Sequence, residues 1–140
     1  MAKRSHDYWT IVYRSLSSID AASAIKTIWE ILETSTRNNM RDHITGFLVY
    51  DRGRFFQVLE GAREDVKACY ARIGLDTRHH HLETLIDKPV AARAFGRWGM
   101  GFVDAVELVD YLPLHAGLLS RRPADVFDSL IRIGIADRLQ

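Results

Sequence analysis

Residues 43–61 read HITGFLVYDRGRFFQVLEG. Two runs rich in Phe, Val, Leu and Ile flank the dipeptide Arg52-Gly53. β-branched and aromatic residues fit a pleated strand, and so short a connection containing glycine suits a tight reversal. The stretch therefore predicts a second strand over 43–51, a turn at Arg52-Gly53 and a third strand over 54–61, paired as an antiparallel hairpin.

Upstream, YWTIVYRSL at 8–16 reads as a first strand. Asp20 offers an N-cap for a helix from Ala21 to about Asn38, whose apolar positions Ile25, Ile28, Trp29 and Leu32 recur at helical spacing. Downstream, a second helix runs from about Arg63 to Ile73 with Val66, Cys69, Tyr70 and Ile73 on its buried side. HLETLIDKPV at 81–90 reads as a fourth strand and FGRWGMGFV at 95–103 as a fifth. The order βαββαββ predicts an α+β, ferredoxin-like sandwich, with one antiparallel-type sheet and both helices on one face.

Beyond it, Val106, Leu108, Val109, Leu112 and Leu114 precede Gly117 and the break RRP at 121–123. Pro123 suits the first turn of a helix carrying Val126, Phe127, Leu130, Ile131 and Ile135. The expected organisation is a main unit over 1–104 and a C-terminal helical extension over 105–140. The extension is read as a helical pair packed on the sheet face that the first two helices leave bare. No linker or repeat divides the chain, and no separate effector domain is expected.

The chain has 140 residues, 47% hydrophobic and 26% charged, an ordinary mixture for one globular domain. Nineteen basic against 18 acidic residues leave a net charge of +1. That balance gives no long-range field for capturing nucleic acid or an acidic membrane surface, so neither partner is expected. Cys69 is the single cysteine, so the fold does not depend on an internal disulfide. The opening MAKRSHDYWT lacks the apolar stretch of a signal peptide. No apolar run approaches the ~20 residues that span a bilayer. A cytoplasmic protein is expected.

Several polar residues lie in apolar contexts. Strand alternation puts Phe55, Gln57 and Leu59 on one face. A buried amide costs free energy unless its hydrogen bonds are met. Gln57 is therefore either bonded to backbone, turned to solvent, or aimed at a ligand. Tyr13 shares a face with Ile11 and Ser15, and a buried tyrosine usually finds a partner for its hydroxyl. The strand order permits Tyr13 and Gln57 to be neighbours. The apolar stripe of the first helix, continued past Leu32, reaches Ser35 and Asn39. That end reads either as a helix emerging into water with Asn39 as C-cap, or as the polar rim of a cleft for a flat heteroaromatic ligand. The fifth strand puts Trp98, Met100 and Phe102 on one face, with Gly99 and Gly101 opposite.

Other motifs are weaker. His79 and His81 would share a strand face, but no cysteine or carboxylate completes a metal set. Cys69 lacks a catalytic setting. There is no Gly-rich phosphate loop and no persuasive pair of carboxylates, so enzymatic turnover is not expected.

Taken in order, five motifs resemble the BLUF family, domains that sense blue light using flavin. They are YRS at Tyr13–Ser15, Asn38-Asn39 followed by ITG at Ile44–Gly46, FFQVLEG at Phe55–Gly61, DTRH at Asp76–His79, and WGMGF at Trp98–Phe102. The resemblance covers roughly residues 8 to 104, and its motifs are specific jointly rather than singly. It implies a short, single-domain photoreceptor that holds a flavin ring between its first two helices. The flavin would be FAD, although the same ring contacts would serve FMN or riboflavin. Tyr13 matches the tyrosine that gives an electron and a proton to the excited flavin, and Gln57 the glutamine between them. Asn39 matches the asparagine on the ring's polar edge, with Ser35 a weaker candidate for the same pocket. Arg78 and His79 fall where the family contacts the opposite edge. Trp98 and Met100 match the fifth-strand pair linked to the light signal.

The chemistry fits these roles. Phenol oxidation is helped when the proton leaves along a hydrogen bond. A glutamine amide has a donor end and an acceptor end. Rotating it, or changing its tautomer, rewires the bonds around a flavin, and a stronger bond to the ring's C4 carbonyl shifts absorption to the red. Output would pass through the fifth strand and the C-terminal helices to a separate protein, or through a homodimer. Two departures matter. Gly99 stands where the family often has serine, which puts in doubt any output step needing that hydroxyl. Asn38 stands where some members have histidine, so no stacking role is carried over. The rival readings are a light-insensitive ligand-binding module on this fold, an acylphosphatase-like hydrolase, and a flavin-using redox enzyme.

Overall fold

A computed structural model describes residues 8–20, 22–95, 101–104 and 117–138. Trp98, Met100 and the apolar stretch 106–114 lie outside the described residues. The elements run β1 (Tyr8–Ser17), α1 (Ala24–Asp42), β2 (Thr45–Asp51), β3 (Arg54–Gly61), α2 (Arg63–Gly74), β4 (His79–Val90) and β5 (Gly101–Asp104). A single 3₁₀ turn at Gly117–Leu119 and a helix, α3 (Pro123–Arg138), follow.

The hairpin forms as expected. Arg52 and Gly53 have φ of 43° and 88°, the two positive angles of a type I′ turn, whose twist matches the flanking strands. Nothing lies within 4 Å of a Cβ built on Gly53. Gly53→Ala therefore costs backbone strain alone. We expect a loss of about 1 kcal/mol, read as a small drop in melting temperature with the spectrum of the fold unchanged.

The strands lie in the order β4-β1-β3-β2-β5. The first four pair antiparallel, but β5 pairs parallel to β2, with Phe47 opposite Gly101. The sheet is therefore mixed, not antiparallel throughout. The reason lies in the chain's route: β4 and β5 occupy opposite edges, so the chain passes from one edge to the other between them. Glu60 anchors the start of that crossing. Its carboxylate is 1% exposed and accepts from Thr45 Oγ1 at 2.8 Å and from the backbone N–H groups of Ala94 at 2.7 Å and Phe95 at 2.6 Å.

Strand alternation sorts the core into two layers. On one face Ile11, Leu59, Leu48 and Phe55 meet α1 through Ala24, Ile28 and Leu32, and α2 through Val66 and Cys69. On the other, Val12, Phe47, Val49, Phe56, Val58 and Phe95 meet Leu118 of the 3₁₀ turn and Val126, Leu130 and Ile133 of α3. Burying each such side chain stabilises the fold by roughly 1.5–3 kcal/mol. The first two helices thus share one face and the C-terminal elements cover the other. Of the expected C-terminal pair, the described residues contain the 3₁₀ turn and α3.

The helix edges differ from expectation in instructive ways. Asp20 does not cap α1 directly: its Oδ1 accepts from the Ser23 N–H at 2.9 Å, and the helix begins one residue later. Trp29 belongs to the helical period but is 66% exposed, because it sits a turn's edge away from the stripe of Ala24, Ile28 and Leu32. Asn39 is not a C-cap, since α1 continues to Asp42 and stops at His43 with φ of 55°. β4 starts at His79, two residues earlier than expected, and His81 has φ of 53°, which breaks the alternation assumed for the histidine run.

Candidate functional site

β1 and β3 are adjacent central strands, and their register sets Tyr13 directly opposite Gln57. Both side chains point to the face covered by α1 and α2. The two helices leave a cleft of about 230 Å³ between them. Ile31, Leu48, Phe55, Leu59 and Ile73 supply apolar walls. Ser35, Asn38 and Asn39 line it from α1, and Arg72, Asp76, Arg78 and His79 from the end of α2 and the start of β4. All six cleft residues expected from the sequence, Tyr13, Ser35, Asn39, Gln57, Arg78 and His79, line this one cavity.

At its floor the Tyr13 hydroxyl donates to Gln57 Oε1. Tyr13 is 4% exposed and Gln57 5%. Burial above all, then the neighbouring Cys69, Tyr70 and Asp76, hold the Tyr13 phenol well above its ordinary range. It is a donor throughout neutral pH, so the acceptor end of the Gln57 amide faces it. The Tyr70 ring lies 5.5 Å away and the His79 ring 6.1 Å.

One end of the cleft is polar through α1. Asn39 is 2% exposed in the last turn of that helix, and Ser35 sits one turn earlier, half-buried. The other end is held by charge. Arg78 Nε donates to Asp76 Oδ1 at 2.9 Å, and Asp76 also accepts from the Arg78 backbone N–H at 2.9 Å. That side-chain bond, ahead of a smaller opposing effect of burial, depresses the Asp76 carboxyl. His79 spans two elements: Nε2 donates to the Ile73 carbonyl at 2.7 Å, and Nδ1 bonds the Ser15 hydroxyl at 2.7 Å. His80 Nδ1 bonds Ser18 Oγ at 2.8 Å. These contacts tie the histidine run into the fold. Arg72 bridges to Asp42 at 3.1 Å, fastening the last turn of α2 to that of α1. Bonds from Arg41 and then Arg72 bring the Asp42 carboxyl down to about 2.

Asp76, Arg72, Ile31 and Thr34 line the cleft without having been singled out for it. Asp76 was visible in DTRH, but nothing in that string tells that it orients Arg78. Ile31 and Thr34 lie on the flank of α1 facing α2, which a stripe drawn through Ile28 and Leu32 passes by.

The cavity fits a planar fused-ring ligand. It lies between two helices over a strand pair, has aliphatic and aromatic walls, and gathers side-chain amides at one end. Amides offer both donors and acceptors, which matches a ring edge that alternates N–H and C=O groups.

Comparison with known proteins agrees. The family described as BLUF, sensors of blue-light using FAD, matches residues 9–101. The blue light- and temperature-regulated antirepressor BluF of Escherichia coli (strain K12) is 38% identical over 95 residues, 68% of this chain and 23% of that protein. The photoactivated adenylate cyclase subunit alpha of Euglena gracilis is 31% identical over 90 residues, 64% of this chain and 9% of that one. This chain therefore spans a quarter or less of those two relatives. The dark-state structure of the BLUF protein BlrB superposes with a TM-score of 0.83 at 30% identity, covering 96% of this chain and 99% of that one. Klebsiella pneumoniae BlrP1, solved with FMN and cyclic diGMP, superposes with a TM-score of 0.65 at 29% identity over 71% of this chain and 26% of that one. With the family matched across most of its length and the cleft it needs in place, this chain belongs to the BLUF family of flavin-using blue-light sensors.

Proposed function

We propose that this chain is a blue-light switch whose photochemical pair is Tyr13 and Gln57. The observation that carries the reading is the hydrogen bond from the Tyr13 hydroxyl to Gln57 Oε1 in the floor of the cleft. A flavin bound there supplies a ring that absorbs blue light and becomes a strong oxidant when excited. Tyr13 is the oxidisable group that would give its electron to the excited ring, and Gln57 would relay its proton, the amide oxygen taking one along the existing bond as an amide N–H passes one toward the ring. Rotation or tautomerisation of the amide then exchanges the donor and acceptor that Gln57 presents to either side. Asn39 and Ser35 serve one edge of the ring. Arg78, oriented by Asp76, and His79 serve the other. FAD is the flavin named for the family, and these ring contacts would serve FMN or riboflavin equally.

Residues 1–104 act as the sensor and 105–140 as its extension. Trp98 and Met100 relay the change through the fifth strand. Output reaches a separate protein in trans, or a second copy of the chain, in the cytoplasm. Val126, Leu130 and Ile133 are fully buried against the sheet, so α3 offers a partner its apolar face only by moving.

The test is the visible spectrum of flavin-loaded protein before and after a blue flash. A flavin spectrum that shifts slightly to the red and recovers in the dark is expected. The shift should hold its amplitude from neutral pH to about 10, because Tyr13 stays protonated in the fold well beyond the range where a free phenol ionises. The sign follows from linkage. The folded phenol is raised, so stability from this group is intact below the unfolded value near 10 and falls only above it. Bound flavin without a shift leaves a light-insensitive ligand-binding module. Protein that takes up no flavin overturns the reading.

A further inference from the structure

Tyr13 and Arg14 are consecutive in β1, so they point to opposite faces of the sheet. Tyr13 reaches into the cleft. Arg14 reaches toward the C-terminal elements, where Nη1 donates to the Ser120 carbonyl at 2.8 Å. Its other nitrogens hold Glu83 of β4, with Nε to Oε2 at 2.8 Å and Nη2 to Oε1 at 3.3 Å. The forked guanidinium thus ties β4 and the segment before α3 to one residue.

The ladder around this pair is unusual. β1 pairs with β4 through Tyr13↔Thr84 and Arg14↔Glu83, and the register shifts on both sides, between Val12 and Tyr13 and between Arg14 and Leu16. The second shift lies by His81, whose φ is 53°. Tyr13 and Arg14 therefore form a two-residue island between two irregularities of the ladder. Bulges re-aim side chains and interrupt pairing, so these two residues can shift against β4 without dragging the rest of that ladder, while they stay in unbroken register with β3 through Tyr13↔Gln57 and Arg14↔Phe56.

Ser120 is a junction in its turn. While its carbonyl accepts from Arg14, its hydroxyl donates to Asp125 Oδ2 at 2.7 Å in the first turn of α3 and accepts from the Arg122 N–H at 3.1 Å. The 3₁₀ turn just before it is locked to the helix. A Cβ on Gly117 would come within 1.9 Å of Ser129 Oγ, which leaves no room between the two pieces. What Arg14 does to Ser120 is therefore passed to α3 as a body.

From this geometry we infer that Arg14 couples the Tyr13–Gln57 hydrogen bond to the C-terminal helix, through β1 and independently of the fifth strand. Arg14 does not itself line the cleft, so it is a positioning residue for output and has no part in the photochemistry. The inference rests on the blue-light reading above. It adds to that reading a second route, by which rearrangement at Tyr13 shifts the island and loosens the hold on Ser120.

The test is amide hydrogen exchange, read by mass spectrometry on the full-length flavin-loaded protein in the dark and under blue light. The flash-induced red shift is recorded on the same samples. In the parent protein, peptides over 117–133 should exchange faster in the light. Arg14→Ala should keep the red shift and lose at least four-fifths of that light–dark difference. Arg14→Lys should lose most of it as well, because an ammonium cannot fork to both Glu83 and Ser120, and it keeps the test open if the alanine variant folds poorly. A purely structural bolt would behave differently: its removal would raise exchange in dark and light alike and preserve the difference. A preserved difference in the variants overturns the inference. So does a parent protein that red-shifts yet shows no light-dependent exchange over 117–133, and that outcome leaves the sensor reading standing. A parent protein with flavin and no red shift overturns both.

Discussion

Gln57→Leu should give a protein that still binds flavin and no longer shifts its spectrum after a blue flash. Leucine fills nearly the same volume in the middle of β3, so the strand and its contacts with Leu48 and Tyr13 survive. What disappears is the amide oxygen that accepts from the Tyr13 hydroxyl. That hydroxyl is then buried without its acceptor, at a cost of about 1–3 kcal/mol. Tyr13→Phe removes the oxidisable group and should abolish the shift as fully, with Gln57 left short of its donor. The double variant separates chemistry from stability. Removing both partners leaves neither stranded by loss of the other, so the double variant should be more stable than the sum of the two single losses by about 1 kcal/mol. Absorption spectra report the photochemistry and thermal melts the coupling. A surviving red shift in Gln57→Leu would remove Gln57 from the mechanism.

The pairing was legible because strand periodicity is simple. Period two puts Tyr13 with Ile11 and Ser15, and Gln57 with Phe55 and Leu59, and a tight turn at Arg52-Gly53 fixes the hairpin. The element order only permitted β1 to lie beside β3; the observed register, with Tyr13 opposite Gln57, is what puts both on the same layer. Ser35 and Asn39 were legible for the related reason that a helical stripe which turns polar still points inward. Features set by long-range geometry were not legible. No local pattern tells that β5 crosses to the far edge and runs parallel to β2. None tells that α1 continues past Asn39 to Asp42, because the stop comes from His43 adopting a left-handed angle with no glycine there. Trp29 matched the apolar period and still faces outward, since a 3.6-residue repeat defines a stripe more loosely than strand alternation defines a face.

Glu60 is the largest of these silent features, and its removal should be the most damaging single change to the fold. In the sequence it is the charged residue of LEG, at the end of a strand where a carboxylate ordinarily meets water. In the structure it is buried on the face opposite Gln57, beneath the crossing from β4 to β5. Oε1 accepts from Thr45 Oγ1 and from the Phe95 N–H, and Oε2 accepts from the Ala94 N–H. Arg93 closes the same knot, donating to Thr45 Oγ1 at 3.0 Å, to the Glu60 carbonyl at 3.2 Å and to the His43 carbonyl at 2.7 Å. Glu60→Ala strands two backbone donors and leaves a void, and loss of such a buried carboxylate costs about 3–5 kcal/mol. Against a typical total of roughly 5–15 kcal/mol, that should lower the melting temperature by about 10 °C or more. Glu60→Gln is no conservative repair, because its amide has one acceptor for two backbone N–H groups and presents its own donor to the other. We expect it to recover less than half of the loss. The red shift should persist in whatever fraction remains folded, since the cleft and its hydrogen-bonded pair lie on the other side of the sheet. A Glu60→Ala protein that melts within a degree or two of the parent would mean that the crossing is held by the Phe47–Phe95 stack, 5.5 Å between ring centres, and not by the carboxylate.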